Sequence, residues 1–177
     1  MKKEGGVFIK KPEALKTIYY ILFDEEFNYR NLDNRLKLQK AIYLLENLGM
    51  SIGEYGYFWY KFGPYSQDLQ DDAFKTKEYS KKEVELTKKT KEKISHFNKI
   101  INYKPKEVND IEDWLEIVAS IHYLLDISPS RKKQKNEIIR RFELKKGTDI
   151  EHDVLEEAYE LVMNIWDFNI GEEERIV

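Results

Sequence analysis

The sequence predicts a mainly α fold with a small β component, a compact helical domain carrying a two-stranded, winged-helix-like ribbon. Three observations carry this. Most of the chain shows apolar residues at helical spacing. One segment, "EYGYFWYKF" at 54–62, is aromatic, has no helical period and is bracketed by glycines, which favours a strand. No internal repeat breaks the pattern, and 177 residues suit one domain with a real core.

Taken in order, Pro12 suits a first helical turn, and Leu15, Ile18 and Leu22 share one face, predicting a helix over 12–24. Asp33 is the expected cap of a second helix. There Leu38, Ala41, Ile42, Leu45 and Leu48 form a wide apolar stripe and Gly49 supplies the stop. After the aromatic strand, "WYKFGPYSQDL" at 59–69 reads as a tight corner turning into a short helix. Gly63 frees the backbone, Pro64 presets φ, Ser66 caps, and Leu69, Ala73 and Phe74 are expected to face inward. The ribbon's second strand is expected at "KEVELT", 82–87, too far along the chain for a tight hairpin. Thr87 would cap the next helix, with Ile94, Phe97, Ile100 and Ile101 on its core face.

The polar stretch "YKPKEVND" at 103–110 divides a signature half (12–103) from an all-helical half (110–168) within the single domain 1–177. Asp110 opens a helix with Trp114, Ile117, Val118, Ile121 and Leu125. A basic helix is expected after Ser130. A last one starts at Asp149 or Glu151 and carries Val154, Leu155, Ala158, Leu161, Val162, Ile165 and Trp166.

The chain has no cysteine, hence no disulfide or thiolate site. It has no apolar run approaching ~18 residues and no signal-peptide pattern, so a soluble cytoplasmic protein with no membrane contact is expected. His96, His122 and His152 lie too far apart for a helical metal site, and His122 reads as a satisfied core histidine. No phosphate loop and no nucleophile–base pair is present. No catalytic, cofactor-binding or metal residue is therefore expected, and no enzyme. Gln39, flanking the buried stripe with Arg35 and Lys40 nearby, is expected to hydrogen-bond the backbone of the "FGPYS" corner.

Charge is uneven beneath a net −3. "RKKQKNEIIRRFELKK", 131–146, holds eight basic residues against Glu137 and Glu143, and 149–174 holds ten acidic residues and no Lys or Arg. Two neighbouring helices attracting one another would explain this. So would a nucleic-acid surface formed by Arg131, Lys132, Lys133, Lys135, Arg140 and Arg141, with support from the lysines between Lys81 and Lys106.

"RLKLQKAIYLLENLG" followed by "YKFGPYSQDL" resembles the paired signature of the Panacea/SocA-like antitoxin domain and its YwgA-like relatives. Arg35, Leu38, Gln39, Lys40 and Tyr43 fall on the helical motif, and Gly63, Pro64, Tyr65, Ser66 and Leu69 on the Gly-Pro corner. Phe62 stands where the family often has Tyr. "WLEIVASIHYLL" resembles a third, weaker signature of the YwgA-like branch. The resemblance implies a mostly helical, non-enzymatic domain that binds a protein partner, as an antitoxin or a proteolytic adaptor. The aromatics Tyr57, Trp59, Tyr60 and Tyr65 are the expected partner-binding residues. In an extended strand Tyr57 and Trp59 share one face and Phe58 and Tyr60 the other, so one pair must leave the core or lie under another element.

Overall fold

The fold was obtained as a computed structural model that describes residues 11–81, 86–129, 132–147 and 149–166. Seven helices and one two-stranded antiparallel sheet make up these residues, a mainly α fold with a small β ribbon. The helices are α1 (Lys11–Phe23), α2 (Leu32–Asn47), α3 (Gln67–Lys75), α4 (Lys88–Asn102), α5 (Ile111–Asp126), α6 (Lys135–Lys146) and α7 (His152–Trp166). The strands are β1 (Phe58–Tyr60) and β2 (Gly63–Tyr65). Among the described residues no helix is long and apolar enough to cross a membrane.

Two helices organise the core. α5 packs against α2, α4, α6, α7 and β2, and places Trp114, Leu115, Val118, Ile121 and Leu125 at its centre. α2 is enclosed by α3, α4, α5 and β2. Because neighbours surround it, Lys37, Gln39 and Lys40 are buried along with Leu38, Ala41, Ile42, Leu44 and Leu45. One apolar cluster joins side chains from Leu22 to Val162, with Val108 of the polar break inserted into it. A smaller cluster around Leu15, Tyr19, Leu38, Ile42 and Leu69 lies under α1 and α3.

Local chemistry explains the helix ends. α2 stops in a Schellman arrangement: Met50 N–H reaches Leu45 O (3.0 Å), Gly49 N–H reaches Glu46 O (2.8 Å), and Gly49 has φ +82°. Ser66 and Thr87 accept from Leu69 N–H and Thr90 N–H, as their positions predict.

Four expectations are corrected. The cap of α2 is Asn31, whose side chain accepts from Asp33 and Asn34 N–H, so Asp33 lies within the first turn. The second strand is Gly63–Tyr65, paired to β1 in the register Phe58↔Tyr65, Trp59↔Pro64, Tyr60↔Gly63. The ribbon is thus a tight hairpin turning at Lys61–Phe62, and the strand expected at 82–87 falls largely on residues outside those described. Phe74 points outward, edge-on to Tyr29 and beneath the Lys77 ammonium, 3.8 Å from the ring. The basic helix begins only at Lys135. Lys132 N–H bonds Pro129 O in a turn and Gln134 is extended, so Lys132 and Lys133 precede the helix.

Candidate partner-binding site

The hairpin is fastened from below by side chains of α2. Gln39 Nε2 donates to Ser66 O (2.9 Å) and its Oε1 accepts from Ser66 N–H (3.1 Å), so the amide acts as a strand partner for one residue. Lys40 Nζ donates to Pro64 O (2.7 Å). All three bonds are buried. Losing one partner of such a bond leaves a desolvated group unmet, a cost of about 1–3 kcal/mol. Gln39 therefore holds the corner as its flanking position predicts. Arg35 braces the preceding loop, donating to Tyr29 O (2.7 Å) and stacking over the Tyr29 ring. Leu38 and Leu69 are core residues beneath the same region.

The ammonium of Lys40 lies in an apolar setting. The residue is 1% exposed, and burial pushes its pKa down to about 7, opposed by the Glu116 carboxylate and assisted by Lys146. Lys146 in turn binds Glu116 Oε1 (2.6 Å) and Lys61 O (2.8 Å), tying α6 and α5 to the turn of the hairpin. Gly63 sits directly on α5. Its φ is +83°, and a Cβ there would lie 2.3 Å from Ser120 Oγ. That hydroxyl is buried and has no hydrogen-bond partner among the described residues.

Alternation through residues 57–60 sorts their four aromatics onto two faces. Tyr57 and Trp59 face the core. Tyr57 lies edge-on to Tyr43 (4.9 Å) with its hydroxyl on Glu46, and Trp59 packs on Tyr123 under the ammonium of Lys145. Phe58 and Tyr60 point away, 49% and 57% exposed. With Tyr65 they form a triangle of rings whose centroids are 5.3–6.2 Å apart. Tyr43 serves the interior, its hydroxyl 2.7 Å from His122 Nδ1. Burial pushes His122 down to about 3, with Lys133 adding to the effect, so the ring is neutral in the folded protein at neutral pH.

Between the ring triangle and α2 lies a pocket of about 180 Å³, with Leu32, Leu36, Tyr60, Phe62 and Tyr65 as its apolar walls and Gln39 and Lys40 lining it too. Leu32 and Phe74 add exposed apolar surface on the neighbouring ends of α2 and α3. A larger groove, about 540 Å³, runs beneath residues 49–57. Its central carboxylate, Glu46, is occupied with the N–H groups of Gly53, Glu54 and Tyr55, so that groove reads as loop support. Among the described residues no group of three side chains is placed to hold a metal ion.

The cations of 131–146 are largely engaged with neighbours. Lys135 meets Glu160 (3.0 Å) and Glu156 (3.8 Å) across the α6–α7 contact, Arg140 meets Glu137 (3.2 Å), and Arg141 donates to Ser128 Oγ. Lys132 is exposed and Lys133 half-buried, while Arg131 lies outside the described residues. Of these cations Lys135 pairs with α7, Arg140 pairs within α6, Lys146 pairs with Glu116 of α5, and Lys145 lies over the Trp59 ring.

Comparison with protein-family models, curated proteins and solved structures finds no match for this chain. The roles of Lys146, Glu116 and Ser120 carried no signal in the sequence, because they arise from the packing of α5 and α6 on the hairpin. Phe58 was visible through its alternation with Tyr60.

Proposed function

We propose that this protein is a non-enzymatic, protein-binding regulatory module, antitoxin-like or proteolytic-adaptor-like, that engages its partner through the outer face of the hairpin. The observation that carries this is the ring triangle of exposed Phe58 and Tyr60 with half-buried Tyr65 at the rim of an apolar pocket, on a strand pair fastened by buried hydrogen bonds. Exposed aromatics are favoured anchors of protein interfaces. A rigid base lets them bind with little further loss of conformational entropy. The buried titratable groups near the hairpin have structural tasks: Lys40 holds Pro64, and His122 holds Tyr43. The resemblance of the helix and corner motifs to antitoxin-like domains supports the same reading, with the motif residues forming the fastening and the rings forming the contact.

The test is a double substitution. Phe58→Ser/Tyr60→Ser removes exposed rings only, so the melting temperature should stay within a few degrees of the parent. Affinity for the partner recovered from the native cell should fall at least tenfold, since two central aromatic anchors are each worth about 1–2 kcal/mol or more. Unchanged affinity with an intact fold would refute the placement.

A further inference from the structure

The basic surface left open by the fold lies on α4. Lys88, Lys91, Ser95, Lys99 and Asn102 recur at helical spacing and form one outer stripe, with Lys89 and His96 on its flank. The stripe runs roughly 21 Å at 1.5 Å per residue. Lys88, Lys89, Lys91 and Lys99 are exposed, and among the described residues none has an ion pair or a hydrogen bond through its ammonium. Lys93 alone turns back, donating to Gly49 O. Glu92 is the single acidic residue on the helix. This differs from α6, where Lys135, Arg140 and Lys146 all have carboxylate partners.

We propose that the outer face of α4 is a second binding surface, for the phosphate backbone of nucleic acid, without base specificity. Charge complementarity sets the class of ligand, and the rest of the face narrows it. Between Lys88 and Asn102 no large apolar side chain is exposed, and a single ring, Tyr103, is exposed at the very end of the helix. A protein partner would need such anchors, and so would a lipid surface. Phosphate backbone needs only cations and hydrogen-bond donors along a rod, which Lys88, Lys91, Ser95, Lys99 and Asn102 supply. The acidic residues that make the chain net negative gather on and before α7, where Asp149, Glu151, Asp153, Glu157 and Glu160 are exposed. The net charge therefore does not describe the α4 face. This surface is distinct from the hairpin and stands whether or not the hairpin binds a protein.

The experiment is fluorescence anisotropy of the whole protein with a 20-base-pair DNA duplex, in parallel with an RNA duplex of equal length and with polyglutamate as competitor. Binding should be weak, with a dissociation constant on the order of 10⁻⁵ M. With three to four phosphates neutralised, affinity should fall roughly 40- to 150-fold between 50 and 200 mM salt. Lys88→Ala/Lys89→Ala/Lys91→Ala/Lys99→Ala should lose tenfold or more at low salt while melting as the parent does, because those side chains hold nothing in the fold. Lys132→Ala/Lys135→Ala/Arg140→Ala should bind within about twofold of the parent, taking ~0.4 kcal/mol as the resolution of the assay. Binding to either duplex supports phosphate recognition, and their ratio shows which backbone fits better. Absence of binding at low salt, an unaffected quadruple variant, loss in the α6 variant instead, or competition by polyglutamate equal to that by duplex would each overturn the proposal.

Discussion

Gly63→Val should lower the stability of this protein by about 2–4 kcal/mol in urea or thermal unfolding. Two effects combine. A β-branched residue held at φ +83° bears backbone strain of about 1–3 kcal/mol. Its Cβ would also fall 2.3 Å from Ser120 Oγ, so the serine must turn or α5 must yield, an overpacking cost of the order of 1 kcal/mol or more. The two parts separate experimentally. Ser120→Ala by itself should be nearly neutral, since its hydroxyl has no hydrogen-bond partner to lose among the described residues. In that background Gly63→Ala should cost less than in the parent, keeping only the backbone part. Equal costs of Gly63→Ala in both backgrounds would show that the contact with Ser120 does not matter.

Lys40 gives the second large effect, through pH. Its folded pKa of about 7 lies below that of a lysine in an unfolded chain, near 10.4. Between those values the unfolded chain holds a proton that the folded protein releases, so stability rises with pH, by up to about 1.4 kcal/mol per unit from this group. The window closes near pH 10, where Tyr19, Tyr55 and Tyr57 act in the opposite sense. Burial holds their phenols above the ordinary value, and the unfolded chain ionises first. From pH 7 to 9 the parent should therefore gain about 2 kcal/mol in unfolding free energy relative to Lys40→Met. Parallel pH curves for the two proteins would show that Lys40 keeps an ordinary pKa in the fold.

Much of the fold was legible where one local rule acted alone. Gly49 after an apolar stripe marked the end of α2, and Ser66 and Thr87 marked helix starts. The fastening of the corner by Gln39 was legible too, since a polar side chain beside a buried stripe needs a partner. The second strand was not, because Gly63-Pro64-Tyr65 is short and contains the two residues that strand rules exclude. It pairs anyway, because tertiary contacts from Gln39, Lys40 and α5 supply what propensity lacks. Asn31 and Asp33 are both good caps two residues apart, and only backbone geometry chooses between them. Charge was the least legible feature. The density of cations along 131–146 drew attention there, but the pairing of Lys135 with α7 and of Lys146 with α5 depends on which helices become neighbours. The lysines of α4 look no different in sequence, and packing leaves them open.

The central claim is that the outward rings of the hairpin contact a protein partner. The most direct measurement places a photo-crosslinking amino acid at position 60, and in separate proteins at positions 57 and 144, followed by irradiation in the native cell and mass spectrometry. Tyr60 is exposed beside the pocket, Tyr57 faces the core, and Leu144 is exposed on α6. The account predicts one dominant protein adduct at position 60, absent at 57 and at 144, and diminished when Phe58 is also changed to Ser. No adduct at position 60, or the same adducts from position 144, would contradict it.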